Sequence, residues 1–218
     1  MKDKLLNALT LMVAAGLVVL IGVSVANFAG AAPRTEGKVA AAWQPIAAGG
    51  TLLGVDAPVR VVVFSDFQCR YCARAATEMR EMRDGSGGRI ALTFRHLPLE
   101  AIHPHAVAAA LASECAAEQG GFEAFHDYLF AHQQDIGVIP WAEMARATGL
   151  SDVAGFGRCL AEQRHLGRVA ADMKLAEELG VVGTPTFMVN GKLVAGSGKG
   201  VQIAEWAAEP AAAPARVR

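Results

Sequence analysis

Hydrophobic positions are concentrated at the start of the chain, in an uncharged apolar run over residues 5–28 that follows Lys2 and Lys4. A run of this length can cross a bilayer as one helix. Two interpretations stay open for residues 1–30: an uncleaved signal anchor, which the length favours, or a signal peptide that is cleaved near residues 29–31. Because the lysines precede the run, we expect the N-terminus in the cytoplasm and the rest of the chain outside it.

The next segment, residues 31–58, carries prolines and glycines among small and polar residues. This composition is typical of a tether, with an edge strand suggested near residues 51–53. Residues 59–64 form a β-branched apolar run, which predicts a strand buried on both faces. Good helix formers follow from Cys69, and a second strand is predicted over residues 90–95. The order of strand, helix and strand is the unit that builds a pair of parallel strands.

Helical periodicity dominates residues 103–180, where apolar residues recur at helical spacing in several successive segments. We interpret this stretch as a helical insertion between the two halves of a small mixed sheet.

Short strands return near the end of the chain. They are predicted over residues 186–189 and 192–195, and they enclose Asn-Gly at residues 190–191, a strong signal for a tight hairpin turn. A last helix over residues 201–208 precedes a tail, residues 209–218, which is rich in alanine and proline and is expected to be flexible.

Taken together, these elements predict one α/β domain over residues 59–208, with the helical insertion between its strand–helix–strand unit and its C-terminal β-hairpin. Hydrophobic residues make up 53% and charged residues 19% of the 218-residue chain, a balance that excludes general disorder. The net charge is −1, so nucleic acid is not expected among the partners. No cofactor is expected either.

The candidate chemistry lies in Cys69-Arg70-Tyr71-Cys72, where the first strand gives way to a helix. At a helix start, unpaired N–H groups and the helix dipole stabilise a thiolate, so we expect a low pKa for Cys69. Arg70 and Tyr71 are expected to tune the site, Arg70 through its charge. The thiolate is the attacking species in disulfide exchange, and Cys72 can resolve a mixed disulfide from one turn on.

Two other interpretations of this cysteine pair stay open: a structural disulfide, and half of a metal site. A zinc site needs two further ligands, for which His103 and His105 are the candidates, but Pro104 between them suits a loop better than a ligand pair. We therefore expect no metal here. A Cys-x-x-Cys beside a strand–helix–strand pattern favours redox chemistry.

Residues 59–72, which end in the two cysteines, closely resemble the active-site strand and helix start of DsbA-like thioredoxin-fold proteins. Residues 95–99, 114–120 and 183–187 resemble the same family in the same order. The resemblance covers the chain from about Gly54 to the last helix. It implies a thioredoxin-like fold and thiol–disulfide exchange by the cysteine pair.

The resemblance also implies roles for Thr184 and Pro185. Pro185 would be a cis-proline that faces Cys69 across the sheet, since proline is the residue for which the cis form costs little. It also has no N–H where a substrate chain must approach the sulfurs. Thr184 would offer its backbone to an extended substrate peptide. From spacing alone, an ordinary trans Thr-Pro bond at the start of a strand stays open.

The chain departs from the family pattern at two positions. Family members often have proline where this chain has Arg70, and a buried glutamate in the strand where it has Val63. Without that acid, water or Asp66 is the candidate to take the proton of Cys72. An aspartate in such a loop is, however, more often a solvated turn residue.

The histidines carry weaker signals. His96, near the end of the second strand, is a candidate to line the site, since histidine can perturb a nearby thiolate. His126 and His132 follow aromatic residues on a predicted helix and are interpreted as surface or capping groups.

Cys115 and Cys159 both fall within the helical insertion, beside apolar helical residues. If Cys69 pairs with Cys72, these two are left to pair with each other. We favour a structural disulfide between two helices over a second redox relay, because stable disulfides are the usual case in exported domains.

The sequence therefore predicts an enzyme of the cytoplasmic membrane, or a periplasmic or secreted one if residues 1–30 are cleaved. It would exchange disulfides with exported, cysteine-containing proteins, with the donor direction favoured. A membrane partner would reoxidise a donor, or would reduce a reductase or isomerase. Two other classes stay open: a module that binds Cu(I) through its cysteines, and a binding scaffold that does not need them. The short tether favours a monomer.

Overall fold

The structure is a computed structural model that describes residues 43–208. The predicted signal anchor over residues 1–30 and the predicted tail over residues 209–218 lie outside the described residues, so both stay predictions. Within the described part of the chain, no helix is both long enough and apolar enough to cross a bilayer.

Residues 43–208 form five strands and eight α-helices, with a short 3₁₀ turn at Gln133–Asp135. The strands are β1 (Thr51–Leu53), β2 (Val59–Ser65), β3 (Ile90–His96), β4 (Thr186–Val189) and β5 (Lys192–Ala195). The helices are α1 (Trp43–Ala48), α2 (Arg70–Gly85), α3 (Ala106–Ala117), α4 (Phe122–Ala131), α5 (Trp141–Ala147), α6 (Val153–Ala161), α7 (Leu166–Leu179) and α8 (Gly200–Ala208). Helices α3 to α7 lie between β3 and β4, which is the predicted helical insertion.

The strands form one mixed sheet in the order β1-β3-β2-β4-β5. β2 and β3 run parallel, whereas β1 is antiparallel to β3 and β4 is antiparallel to β2. β4 and β5 form the predicted hairpin, and its turn residues Asn190 and Gly191 both have positive φ angles, 50° and 84°. The α/β architecture predicted from the sequence is confirmed.

The central strand β2 contributes to two core layers, because successive side chains of a strand point to opposite faces of the sheet. Val61 and Val63 pack on one face with residues of α2, α3 and α8. Val62 and Phe64 pack on the other face with residues of α1 and α7. All four side chains are buried, which explains the continuous apolar run in the sequence.

The domain begins earlier than the sequence predicts. Residues 43–58 are not a tether: they contain α1 and β1, and β1 is the suggested edge strand, paired with β3. Gly50 allows this close packing, since a Cβ there would lie only 2.8 Å from the carbonyl oxygen of Phe94. Arg95 of β3 donates two hydrogen bonds, at 3.2 and 2.6 Å, to the carbonyl of Ile46 in α1. The glycines that suggest a linker therefore serve a packed junction.

Candidate active site

Cys69 and Cys72 lie where β2 leads into α2. Cys69 is the N-cap of α2 and has an extended backbone, with φ −76° and ψ 116°. Cys72 lies in the first turn, where its N–H donates to the carbonyl of Cys69 at 2.9 Å. Neither sulfur is part of a disulfide, and the exposed fractions of the two residues are 5% and 1%. The strand-to-helix junction thus places both thiols at one end of the sheet.

The loop before Cys69 is held by Asp66, which is buried and not a solvated turn residue. Its carboxylate accepts hydrogen bonds from the N–H groups of Gln68 and Leu99, at 2.7 and 2.8 Å. It also lies 2.7 Å from Nδ1 of His103. The solvated interpretation of Asp66 is therefore wrong, and the carboxylate serves to position the loop.

Gln133, in the 3₁₀ turn after α4, is a second residue that holds this loop. Its Nε2 donates to the carbonyl oxygens of Phe67 and Cys69, at 2.7 and 3.0 Å. Gln133 could not be predicted from the sequence, because no local pattern marks contacts across 66 and 64 positions of the chain.

Thr184 and Pro185 face Cys69 from the start of β4. The bond between them is cis, as the resemblance implies. The Sγ of Cys69 lies 3.6 Å from the carbonyl oxygen of Thr184. The hydroxyl of Thr184 is buried and has no hydrogen-bond partner among the described residues. A donor is therefore available beside the sulfurs when one of them becomes a thiolate.

The two thiols differ strongly in acidity. The hydrogen bond from the Cys72 thiol is the main cause that lowers the pKa of Cys69 from 9.0 to about 5. Burial opposes this shift, whereas the Thr184 side chain and the N–H groups of Cys72 and Tyr71 support it. Burial, and then the neighbouring Cys69 sulfur, raise the pKa of Cys72 far above its ordinary value. At neutral pH Cys69 is a thiolate and Cys72 is a thiol, which fits an attacking and a resolving cysteine.

Arg70 and Tyr71 lie at the site but interact chiefly with each other. The Nη2 of Arg70 donates to the Tyr71 hydroxyl at 2.7 Å, and the guanidinium carbon lies 4.7 Å from the centre of the Tyr71 ring. Both residues are exposed. Arg70 is not among the main causes of the low pKa of Cys69, so its expected role in tuning the site stays a prediction.

His96 is buried and belongs to a polar group behind the site. Its Nε2 lies 2.8 Å from a carboxylate oxygen of Glu114, which also accepts a hydrogen bond from Thr51 at 2.9 Å. Burial favours a higher pKa for Glu114, but His96, the charge of Arg168 and the Thr51 hydroxyl together lower it to about 2. This group joins α3 to the strands β1 and β3, and the expected place of His96 at the site stays a prediction.

His126 and His132, both predicted to be surface or capping groups, differ in their placement. His126 is buried, and its ring packs edge-on to Phe94 and Phe130 at centroid distances of 5.2 and 4.9 Å. Its interpretation as a surface group is therefore wrong. His132 is the C-cap of α4, and its Nδ1 lies 2.9 Å from a backbone carbonyl one turn earlier. The capping interpretation of His132 is confirmed.

Cys115 and Cys159 form a disulfide that joins α3 to α6. The two residues are 1% and 0% exposed, so a substrate thiol has no access to the sulfurs. The arrangement is that of a staple between two helices of the insertion.

In the part of the chain that the structure describes, Cys115, Cys159 and His165 bring ligand atoms within 4.8 Å of one another. Two of these atoms are disulfide sulfurs, which offer no thiolate to a metal. His103, considered above as a zinc ligand, is instead bound to Asp66.

The low pKa of Cys69 makes it a nucleophile suited to attack a disulfide, and the proline beside it has no N–H to obstruct an approaching chain. A second, protonated thiol lies within reach to complete the exchange. Fold and site together therefore define a redox protein of the thioredoxin class.

Comparison with known proteins agrees with this class. The family model described as thioredoxin matches residues 50–206, which is more than half of the chain. The chain belongs to the thioredoxin family.

Solved structures give the same architecture. A thioredoxin-like oxidoreductase from Silicibacter pomeroyi DSS-3 is 30% identical, covers 72% of this chain and 90% of its own, and has a TM-score of 0.62. Oxidised BdbD from Bacillus subtilis is 23% identical over 79% of this chain and 95% of its own, with a TM-score of 0.65. The thiol-disulfide exchange protein alpha-DsbA2 from Wolbachia pipientis is 17% identical over 72% of this chain and 85% of its own, with a TM-score of 0.61. The last two show likeness of fold.

Similar curated proteins are much longer than this chain, and they are named as antiporters. The Na(+)/H(+) antiporter NhaA 3 of Salinispora tropica is 44% identical over 138 residues, which are 63% of this chain and 21% of the antiporter. The antiporter NhaA of Herminiimonas arsenicoxydans is 37% identical over 142 residues, 65% of this chain and 22% of its own. The chain thus spans about a fifth of the length of these relatives.

Proposed function

We propose that this chain is an extracytoplasmic thiol–disulfide oxidoreductase that donates disulfides to exported, cysteine-containing proteins through Cys69 and Cys72. The observation that carries the proposal is the pKa of Cys69, about 5, in a thiol whose Sγ lies 3.6 Å from the carbonyl oxygen of Thr184. A sulfur of such low pKa is a good leaving group in disulfide exchange, which is what a donor requires.

The exchange has two steps. A substrate thiolate attacks the Sγ of Cys69 in the Cys69–Cys72 disulfide, and Cys72 leaves with the electron pair and takes up a proton. A second thiolate of the substrate then attacks the substrate sulfur of this mixed disulfide, and Cys69 leaves as a stable thiolate. The substrate loses two electrons and gains a disulfide, and the cysteine pair of the enzyme gains the two electrons.

Thr184 and Pro185 provide the surface on which the substrate chain lies during these steps. In the proposal, the backbone of Thr184 pairs with an extended substrate segment, as in the addition of a strand to a sheet. Pro185 lacks an N–H, so it leaves no unpaired donor where the substrate cysteine meets Cys69.

The donor direction is supported by the linkage between acidity and stability. Because folding lowers the pKa of Cys69 from 9.0 to about 5, the folded state stabilises the thiolate of the reduced enzyme. This contribution is fully present above about pH 9 and is lost as the pH falls through about 5, so part of it acts at pH 7. A stabilised reduced form makes the disulfide form a stronger oxidant.

The location and the redox partner are part of the proposal. An apolar run over residues 5–28, behind two lysines, supports anchoring in the cytoplasmic membrane with this domain outside the cytoplasm. An anchored donor would be reoxidised by a redox partner in the same membrane, where tethering raises the effective concentration. The antiporter names of the longer relatives are compatible with a domain of this type beside a membrane.

Transfer to a peptide with two cysteines tests the proposal. The oxidised chain is mixed with an equimolar amount of the reduced peptide at pH 7, and the products are alkylated and weighed by mass spectrometry. We expect one peptide disulfide per enzyme disulfide lost. The variant Cys72→Ser, incubated with the oxidised peptide, should trap it as a mixed disulfide on Cys69, whereas Cys69→Ser should trap none.

Other outcomes would assign another function. If the reduced chain instead reduces the oxidised peptide, and the reverse transfer does not occur, the enzyme is a reductase. If neither transfer occurs and the chain retains about one Cu(I) ion, the cysteines form a metal site and the proposal is wrong.

A further inference from the structure

A cavity of about 20 Å³ lies next to Cys72, between the sheet and helices α2 and α4. Its lining is mostly apolar, but six polar side chains also contribute to it: Ser65 of β2, Arg80 and Arg83 of α2, and Glu123, His126 and Asp127 of α4. A buried water molecule needs roughly 10–15 Å³ and two to four polar partners. The cavity therefore has room for a water, and its walls include both Cys72 and His126.

The hydrogen bonding of His126 leaves one ring nitrogen available. Its Nδ1 lies 2.9 Å from a carboxylate oxygen of Asp127. An ionised carboxylate only accepts, so Nδ1 carries the hydrogen and the lone pair is on Nε2. The Nε2 makes no hydrogen bond within the described residues. The imidazole is therefore oriented by Asp127 through Nδ1, and Nε2 is the atom that can accept a proton.

The exchange needs such a base, because burial keeps Cys72 protonated and only a thiolate attacks a disulfide. The two candidates that the sequence offers in place of a strand glutamate are water and Asp66. The carboxylate of Asp66 is occupied by the N–H groups of Gln68 and Leu99 and by His103. Water alone is a weak base, so a stronger acceptor behind it would speed the step.

We propose that His126 accepts the proton of Cys72 through a water molecule in this cavity, and returns the proton in the reverse step. The proposal rests on the disulfide exchange proposed above. As the proton moves from the Cys72 Sγ through the water to Nε2, the Cys72 thiolate attacks the Sγ of Cys69 in a mixed disulfide. The Cys69–Cys72 bond forms, the bond from Cys69 to the substrate breaks, and the substrate leaves as a thiolate with the electron pair. When Cys72 is the leaving group, the same imidazolium donates the proton to it.

The charges around His126 suit this role. Burial lowers the pKa of His126, so the imidazole is neutral at neutral pH and able to accept a proton. Asp127 and Glu123 favour the imidazolium once it forms, and Arg80 of α2 opposes it. Arg80 is itself paired with Asp127 at 2.7 Å, which moderates its effect.

The remaining contacts of His126 are apolar. The ring packs on Phe67 of the cysteine loop, Phe94 of β3, and Phe122 and Phe130 of α4. In this proposal His126 acts on Cys72 through the water. It is therefore a positioning residue, because it does not touch the reacting sulfurs.

The reaction of the reduced full chain with 5,5′-dithiobis(2-nitrobenzoate) separates the steps. Attack by Cys69 releases a first equivalent of yellow thiolate, and attack by Cys72 on the mixed disulfide releases a second. Stopped-flow absorbance at a series of pH values then gives a rate for each phase. We compare the wild type with His126→Gln and Asp127→Asn, and with Phe130→Leu, which alters the cavity wall without a titrating group.

The proposal predicts a selective effect on the second phase. In the wild type its rate should reach a plateau at neutral pH and fall in acid, where the imidazolium cannot accept a proton. His126→Gln should slow it about 100-fold at pH 7, within the usual range for general base catalysis, and its rate should rise with pH without a plateau. Asp127→Asn should move the acid fall to lower pH, because it removes a group that favours the imidazolium. The first phase should change less than about twofold in all variants.

Two results would overturn the inference. One is an unchanged pH profile of the second phase in both His126→Gln and Asp127→Asn. The other is an equal slowing in Phe130→Leu with loss of the plateau, which would mean that packing and not a base controls the step. If Cys69 of the wild type gives no first phase, the disulfide exchange itself fails, and that result is distinct from both.

Discussion

At the scale of single residues, the acidity of Cys69 depends on hydrogen-bond donors that surround its sulfur. The Cys72 thiol contributes most to the lowered pKa of Cys69, and burial opposes the shift. The Thr184 side chain and two backbone N–H groups of the first turn of α2 lower the pKa further. As a thiol, Cys69 can donate to the carbonyl of Thr184, but the thiolate only accepts. The unpartnered Thr184 hydroxyl then becomes the donor that the charged form requires.

The rate of alkylation of Cys69 by iodoacetamide should therefore follow a titration with a midpoint near the pKa of about 5, and fall below it. Thr184→Val keeps the shape of the side chain and removes the hydroxyl, so it should raise the midpoint by roughly one pH unit, the size of a hydrogen bond to a charged group. Arg70→Gln is the matched control and should leave the midpoint nearly unchanged, because Arg70 is exposed and is not among the main causes of the low pKa. A larger shift in Arg70→Gln than in Thr184→Val would contradict this account.

Residues whose role depends on local placement could be identified from the sequence. Cys69 and Cys72 are marked by their spacing at a strand-to-helix junction, and Thr184 and Pro185 by a family resemblance. Asp66, His126 and Gln133 could not be interpreted correctly in the same way. Their burial and partners come from segments far along the chain, so no local pattern separates a buried aspartate or histidine from an exposed one.

At the scale of elements, the insertion is held together by the disulfide between α3 and α6. It closes a loop with a sequence separation of 44, for which the chain-entropy model gives about 4 kcal/mol of stabilisation. The bond lies in the core cluster that includes Phe125 and Phe156, so its sulfurs also fill space between the helices.

The double variant Cys115→Ala/Cys159→Ala should lower the free energy of unfolding by about 2–4 kcal/mol, measured in urea. Transfer of a disulfide to a two-cysteine peptide should persist at wild-type stoichiometry below the unfolding transition. A folded double variant that has lost this transfer would instead identify the second pair as a redox relay.

Element boundaries were predictable where the chain carries its own stop signals. Asn190-Gly191 fixes the hairpin, and the side chain of Asp152 caps α6 by accepting from the N–H of Gly155 at 2.7 Å. Residues 43–58 also carry prolines and glycines, but so does a flexible linker. Their structure depends on contacts with β3, which the composition of the segment does not reveal.

At the scale of the whole molecule, a buried ionic group ties the N-terminal segment and the insertion to the sheet. Arg95 of β3 pairs with Asp172 of α7 at 2.5 Å, and the other Asp172 oxygen accepts from the N–H of His96 at 3.0 Å. The same arginine donates to the carbonyl of Ile46 in α1. One side chain thus joins three segments that lie far apart along the chain.

Asp172→Ala should therefore destabilise the fold by about 3–5 kcal/mol, since it leaves the charge of Arg95 buried without compensation. Lys174→Ala on the same helix is the control, because Lys174 is exposed and its pair with Glu178 is long, at 3.8 Å. It should change the free energy of unfolding by less than about 1 kcal/mol. Similar losses in the two variants would show that the buried pair has no special role.

The central claim is that Cys69 and Cys72 form the redox couple of a disulfide donor. Equilibration of the full chain in glutathione buffers, followed by alkylation and mass spectrometry of the peptide that holds both cysteines, measures the potential of this couple directly. For a disulfide donor we expect a reversible Cys69–Cys72 disulfide with a potential between about −180 and −120 mV. A potential near about −270 mV would make the chain a reductant, and a pair that forms no disulfide in any buffer would contradict the claim altogether.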